Sequence, residues 1–152
     1  MIGVIISVLL AQSSPLAAPL FNPPPMWKIL PVPPAPPRTA QILTEYLGPS
    51  GSSIQIVRDP KAAVDTDIAQ DTKTFALLMP GIAPVHSEVT LCSGATGKML
   101  VFTADDQVKV AVLYATAGGD VLEARYFHHE NTAAEPEAVT ALKSLCPSGA
   151  LP

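Results

Sequence analysis

Basic residues are scarce in this chain, and no stretch of it clusters them. Beyond residue 38, seven Lys and Arg (Arg58, Lys61, Lys73, Lys98, Lys109, Arg125 and Lys143) stand against all thirteen Asp and Glu, a formal balance of −6. Binding to a phosphate backbone draws on grouped cations that release counterions, so single cations scattered among acidic residues exclude nucleic acid as a partner. The same scatter argues against docking on an anionic membrane surface.

Catalytic signatures are missing as well. No Gly-x-Ser-x-Gly elbow is present for a serine hydrolase. Gly94-Ala95-Thr96-Gly97-Lys98-Met99 has two residues between its glycines where a phosphate-binding loop has four, and Met99 stands where that loop needs Ser or Thr. Asp65-Thr66-Asp67 with Asp71 begins like a calcium loop, but Ala69 and Gln70 occupy the positions of an oxygen ligand and a glycine. Asn131-Thr132-Ala133 lacks the hydroxyl residue of a glycosylation acceptor. No catalytic residue, cofactor-binding residue or cofactor is therefore expected.

One titratable cluster remains. His128-His129-Glu130, together with His86, offers imidazole and carboxylate ligands for a metal. On a continuing strand consecutive side chains alternate, which leaves His128 and Glu130 on one side and sends His129 to the other. The cluster is read as a solvated exit from a sheet. His86, His128 and Glu130 are kept as the ligand set of an alternative, a small metal-dependent hydrolase.

Charge is absent altogether before Lys28, and ten of the seventeen prolines fall between Pro15 and Pro37. Residues 1–11 form an apolar run shorter than the roughly 20 residues that cross a bilayer, but suited to the hydrophobic part of a signal peptide. Ala11-Gln12-Ser13 supplies a small-x-small cleavage site, although no Lys or Arg stands near Met1. In the proline-rich stretch the rings fix φ and remove amide donors, so polyproline II is expected rather than a helix or a paired strand. The stretch reads as a spacer in preference to a ligand for a proline-recognition groove, although residues 34–37 carry the P-x-x-P spacing. The expected organisation is an export leader over 1–18, a spacer over 19–38, one domain over 39–147 and a tail over 148–152.

Only two cysteines occur, Cys92 and Cys146. In an exported chain an even count reads as a disulfide, which leaves no thiol nucleophile and places the domain in the periplasm or outside the cell.

Within the domain, Ile42, Leu43, Tyr46 and Leu47 lie at helical spacing and Gly48-Pro49 supplies a stop, which predicts an N-terminal helix over 39–47. A strand at 54–57 and a short helix from Asp59-Pro60 to about Gln70 follow. Strands are expected over 74–79, 88–93, 98–104, 108–116 and 121–128, and short turns at 94–97, 105–107 and 117–120 make the last four an antiparallel meander. A closing helix over 136–145 places Val139, Leu142, Leu145 and Cys146 on one stripe.

The fold class is therefore α+β: an antiparallel meander of four to five strands with an N-terminal and a C-terminal helix packed on the sheet. Val108, Val110, Val112 and Tyr114 alternate with Ala111, Leu113 and Ala115, so both sheet faces are apolar and both need cover. Cys92, in phase with Glu88 and Thr90, would pin the C-terminal helix to their face, leaving the other to the N-terminal helix or a second copy of the chain. The function expected is an exported, non-catalytic binding or structural domain of the cell envelope. Its partner would be an envelope protein, or a second copy held through an apolar sheet face. A carrier of an apolar ligand between sheet and N-terminal helix is the remaining alternative.

Overall fold

The structure, a computed structural model, describes residues 21–36, 39–60 and 62–147, so the leader over 1–18 and the tail over 148–152 lie outside the described residues. Seven strands form one antiparallel sheet, β1 (Lys28–Leu30), β2 (Gln41–Leu47), β3 (Ser53–Asp59), β4 (Val85–Thr90), β5 (Thr96–Ala104), β6 (Gln107–Ala117) and β7 (Asp120–Phe127). Their order across the sheet is β1-β2-β3-β7-β6-β5-β4. Helix α1 (Val64–Leu78) connects β3 to β4, and α2 (Pro136–Leu142) follows β7.

The meander β4-β5-β6-β7 matches the expectation from short turns, and the fold is α+β. Among the described residues the strand count is seven rather than four to five; β3 falls on the expected strand at 54–57, and β1 and β2 extend the sheet beyond it. Residues 39–47 are not a helix. They contain β2, and a bulge between Ile42 and Thr44 inserts Leu43 as an extra residue opposite β3. A bulge shifts the alternation by one, which lets Leu43 and Tyr46, three apart, both reach the same core. That shifted strand period is what imitates a helical stripe in the sequence.

The expected strand over 74–79 is also corrected, because Thr74 to Leu78 form the last turns of α1. The helix starts at Val64, later than Asp59-Pro60, with Ala63 as its N-cap. Its inward stripe runs Val64, Ile68, Asp71, Phe75, Met79. A buried aspartate in the middle of that stripe breaks the apolar pattern, so the sequence shows two unrelated fragments where one helix lies.

Both faces of the sheet are covered from within the chain. On one, α1 packs over Leu100, Phe102, Val110, Val112 and Tyr114. On the other, Ala138, Leu142 and Leu145 cover Met99, Ala111, Leu113, Leu122 and Ala124. The second face is thus closed by α1, neither by an N-terminal helix nor by a second copy. A bulge opposite Phe102 and Thr103 also moves Val108 to the α2 side, away from Val110.

Cys92 and Cys146 are joined, with Cα atoms 5.4 Å apart. Cys92 sits in a single 3-10 turn after β4 (Cys92–Gly94), out of phase with Glu88 and Thr90. The bridge therefore closes the α2 side, where Leu91 is buried, whereas Glu88 pairs with Lys98 on the α1 side.

The proline-rich stretch is not strand-free. Met26 to Leu30 is its longest proline-free run, and Lys28, Ile29 and Leu30 pair with Leu47, Tyr46 and Glu45. Trp27 is buried beside Gly48, where an added Cβ would lie 2.7 Å from its Cζ2 atom. Contact that close forces the indole to move, so Gly48→Ala is expected to cost about 1–3 kcal/mol by overpacking. Trp27 is the chain's one tryptophan, so its fluorescence should shift to the red as β1 loosens; an unchanged spectrum and melting temperature would show that the indole yields freely.

Candidate functional site

A strand that is buried on both faces has little room for charge, yet β7 carries Glu123 and Arg125 two residues apart. Both point to the α1 face, where Tyr114 and Val112 are their partners across β6, and Val57 and Gln55 across β3. Asp71 descends onto them from α1. Its Oδ2 accepts a hydrogen bond from the Tyr114 hydroxyl at 2.7 Å and lies 3.5 Å from Arg125 Nη2. Arg125 Nε donates to Glu123 Oε2. The five side chains Asp67, Asp71, Tyr114, Glu123 and Arg125 form one polar seam between helix and sheet.

The seam is short of positive charge. Three carboxyls face one guanidinium, and Asp67 Oδ2 is buried with no hydrogen-bond partner among the described residues. Burial pushes the Glu123 carboxyl up to about 7; Arg125 opposes that shift, while Asp71 and Asp67 add to it. Burial also raises Asp67, helped by the charge of Asp59. Burial, then the bond to Asp71, holds the Tyr114 phenol protonated. For Arg125 burial works against the charge, but Glu123 and Asp71 outweigh it and raise the group further.

A carboxyl that titrates near neutrality is the raw material of general acid-base catalysis. Here it is 1% exposed, and neither of the two clefts beside α1 is lined by Glu123, Arg125 or Tyr114. The bonds from Asp71 to Tyr114 and Arg125 seat α1 on the sheet.

Those two clefts flank α1. One, of about 440 Å³, separates Asp65 and Ile68 of the helix from His86, Glu88 and Lys98 of β4 and β5. Lys98 Nζ meets Asp65 Oδ1 at 2.7 Å across it. The other, of about 590 Å³, opens at the C-terminal end of α1 over a floor of Phe75, Val110 and Phe127, with Lys109, His128 and Glu130 at its rim. Leu77 and Leu78 stand beside one another at that helix end, 84% and 72% exposed.

The structure does not bring the three candidate metal ligands together. His86 lies on the edge strand β4, while His128 and Glu130 follow β7, three strand positions away, or about 14 Å at ordinary strand spacing. Both ring nitrogens of His128 have neighbours in the chain, Nδ1 at 2.9 Å from the Tyr126 hydroxyl and Nε2 at 3.4 Å from that of Thr132. Tyr126 in turn donates to Glu135 Oε2 at 3.1 Å, and Ser50 donates to Glu135 Oε1. Burial, and the charge of Glu135, raise the Tyr126 phenol. This chain of bonds ties the β2-β3 turn to the start of α2. Among the described residues, no group of three or more His, Cys, Asp or Glu is placed to hold a metal ion.

Sequence reasoning missed the seam. Its signal was present in Val121-Leu-Glu-Ala-Arg-Tyr-Phe127, where two opposite charges interrupt an apolar strand at positions that share a face. Paired charges in such a setting mark a buried contact with a polar residue from another element. No helix among the described residues is long and apolar enough to cross a membrane. Neither a known protein family, a curated protein nor a solved structure matches this chain.

Proposed function

We propose that the chain is an exported, non-catalytic binding domain of the cell envelope that holds an apolar anchor of a protein partner in the groove at the C-terminal end of α1. The observation that carries this reading is the groove itself. Its floor is aromatic and aliphatic, its rim carries a few polar groups, and Leu78, which lines it, is 72% exposed and next in sequence to Leu77, 84% exposed. Such leucines at a concave apolar site are the usual mark of a surface meant to be covered. The Cys92–Cys146 bridge supports export, since disulfides persist in oxidising compartments. The hydrolase alternative lacks support, because His86 stands apart from His128 and Glu130.

A second reading has one observation in its favour. The groove volume of about 590 Å³ falls within the range of small-ligand sites, so a carried apolar molecule is the competing occupant. The test compares the native chain with Leu77→Asp/Leu78→Asp in retaining proteins from an envelope extract. A protein held by the native chain and lost about tenfold from the variant, with the melting temperature unchanged, supports the proposal. Equal retention by both forms overturns it, and a lipid-sized mass excess on the native chain by native mass spectrometry turns the assignment to carriage.

A further inference from the structure

The two edges of the sheet are built differently. Edge strand β1 has three residues, opens with Lys28 and is stopped by Pro31, which keeps a further strand from adding to it. Edge strand β4 has six, Val85-His86-Ser87-Glu88-Val89-Thr90, with neither proline nor lysine. Its outer backbone groups are free of a neighbouring strand, since β5 is the one strand it pairs with among the described residues. Side chains along it are exposed except for Val89, and Val85 is 63% exposed. Such an edge is a template for another strand.

The sequence of β4 also states which strand fits. A two-fold axis normal to the sheet keeps α1 of both copies on one side, and it requires an antiparallel register in which opposed residues share a face. Four such registers oppose at least three residue pairs, and the one centred on Val89 sets Val89 against itself and Glu88 against Thr90 over three pairs only. Centring on His86 opposes two imidazoles, and centring on Glu88 opposes two carboxylates. Centring on Ser87 sets His86 against Glu88 of the second copy, twice, and Val85 against Val89, twice. Like charges directly opposed destabilise a strand pair, whereas opposite charges and aliphatic pairs stabilise it. The Ser87 register alone opposes His86 to Glu88, and its five pairs make it the longest register without like charges opposed.

We propose that two copies of this chain associate through β4, antiparallel about Ser87, to make one continuous fourteen-stranded sheet, twice the seven of a single copy. The contact is an edge contact, separate from the groove at the end of α1, and stands whether or not the groove binds a partner. It also differs from association through a sheet face, since both faces are closed by α1 and α2.

Sedimentation equilibrium of the disulfide-bonded chain over a range of concentrations tests it. A reversible dimer is expected. His86→Glu places four carboxylates in the contact and should raise the dimer Kd about tenfold or more, while His86→Lys, which sets an ammonium against each Glu88, should leave it within about threefold of the native value. His86 is exposed, so both variants should melt with the native chain. A monomer at every concentration, or a dimer that tolerates His86→Glu as well as His86→Lys, overturns the proposal.

Discussion

Replacing Cys92 and Cys146 together by serine is expected to lower the stability of the domain by about 4 kcal/mol, the loop-closure entropy of a bridge across 54 residues of chain. For a domain of this size that corresponds to a fall in melting temperature on the order of 15 °C. The effect should be large because of what the bridge holds. Helix α2 has seven residues, too few to persist on helical propensity, and it stays in place by burying Ala138 and Leu142, with Leu145 just beyond its end. Without the bridge its undocking uncovers Leu91, Met99 and Leu113 at once. Thermal unfolding of the native chain with and without reductant, beside the double variant, measures the loss. A difference below about 1 kcal/mol, or two thiols titrating in the native product, would remove both the stability argument and the support for an oxidising compartment.

The elements after β4 were legible in the sequence because each is local. Gly94 to Gly97, Asp105-Asp106 and Gly118-Gly119 mark tight turns, and between them the strands run apolar on both faces. Asp105 and Asp106 both take positive φ, at 52° and 59°, as a two-residue hairpin turn of this type requires. The elements before β4 were less legible because what shapes them lies far away in sequence. The bulge in β2 answers to its pairing with β3, β1 to a seat for Trp27 beside Gly48, and the polar break in α1 to Tyr114 and Arg125. Periodicity describes an element facing a uniform core, and it fails where a strand gains a residue or a helix lowers a charge into the interface.

The same reasoning covers the candidate site. The disulfide was readable from a count of two. The seam was not, because Asp71, Tyr114, Glu123 and Arg125 come from three elements and no spacing along the chain unites them. His86, His128 and Glu130 were grouped by residue type alone, and the sheet order then places β5 and β6 between them.

Removing the guanidinium at the centre of the seam is expected to destabilise the domain by about 3–5 kcal/mol, the cost of leaving buried carboxylates without their counter-charge. Arg125→Met keeps most of the aliphatic volume, so the loss reports charge and not a cavity. Its size should depend on pH, and the direction follows from Glu123. That carboxyl titrates near 7 in the folded chain and near 4.5 when exposed, so between these values the folded state holds a proton that the unfolded chain has released. Stability is then greatest below about pH 4.5 and falls as pH rises toward 7, by up to about 3 kcal/mol from this group, with Asp67 contributing in the same direction. Paired surface carboxylates give the opposite slope, which makes the sign diagnostic. Denaturant unfolding at pH 5 and pH 8 should find the native chain stronger at pH 5, Glu123→Gln with most of that difference abolished, and Arg125→Met costing more at pH 8 than at pH 5. If native stability instead climbs across this interval and Glu123→Gln removes the climb, Glu123 is held ionised by Arg125, and the seam is an ordinary ion pair.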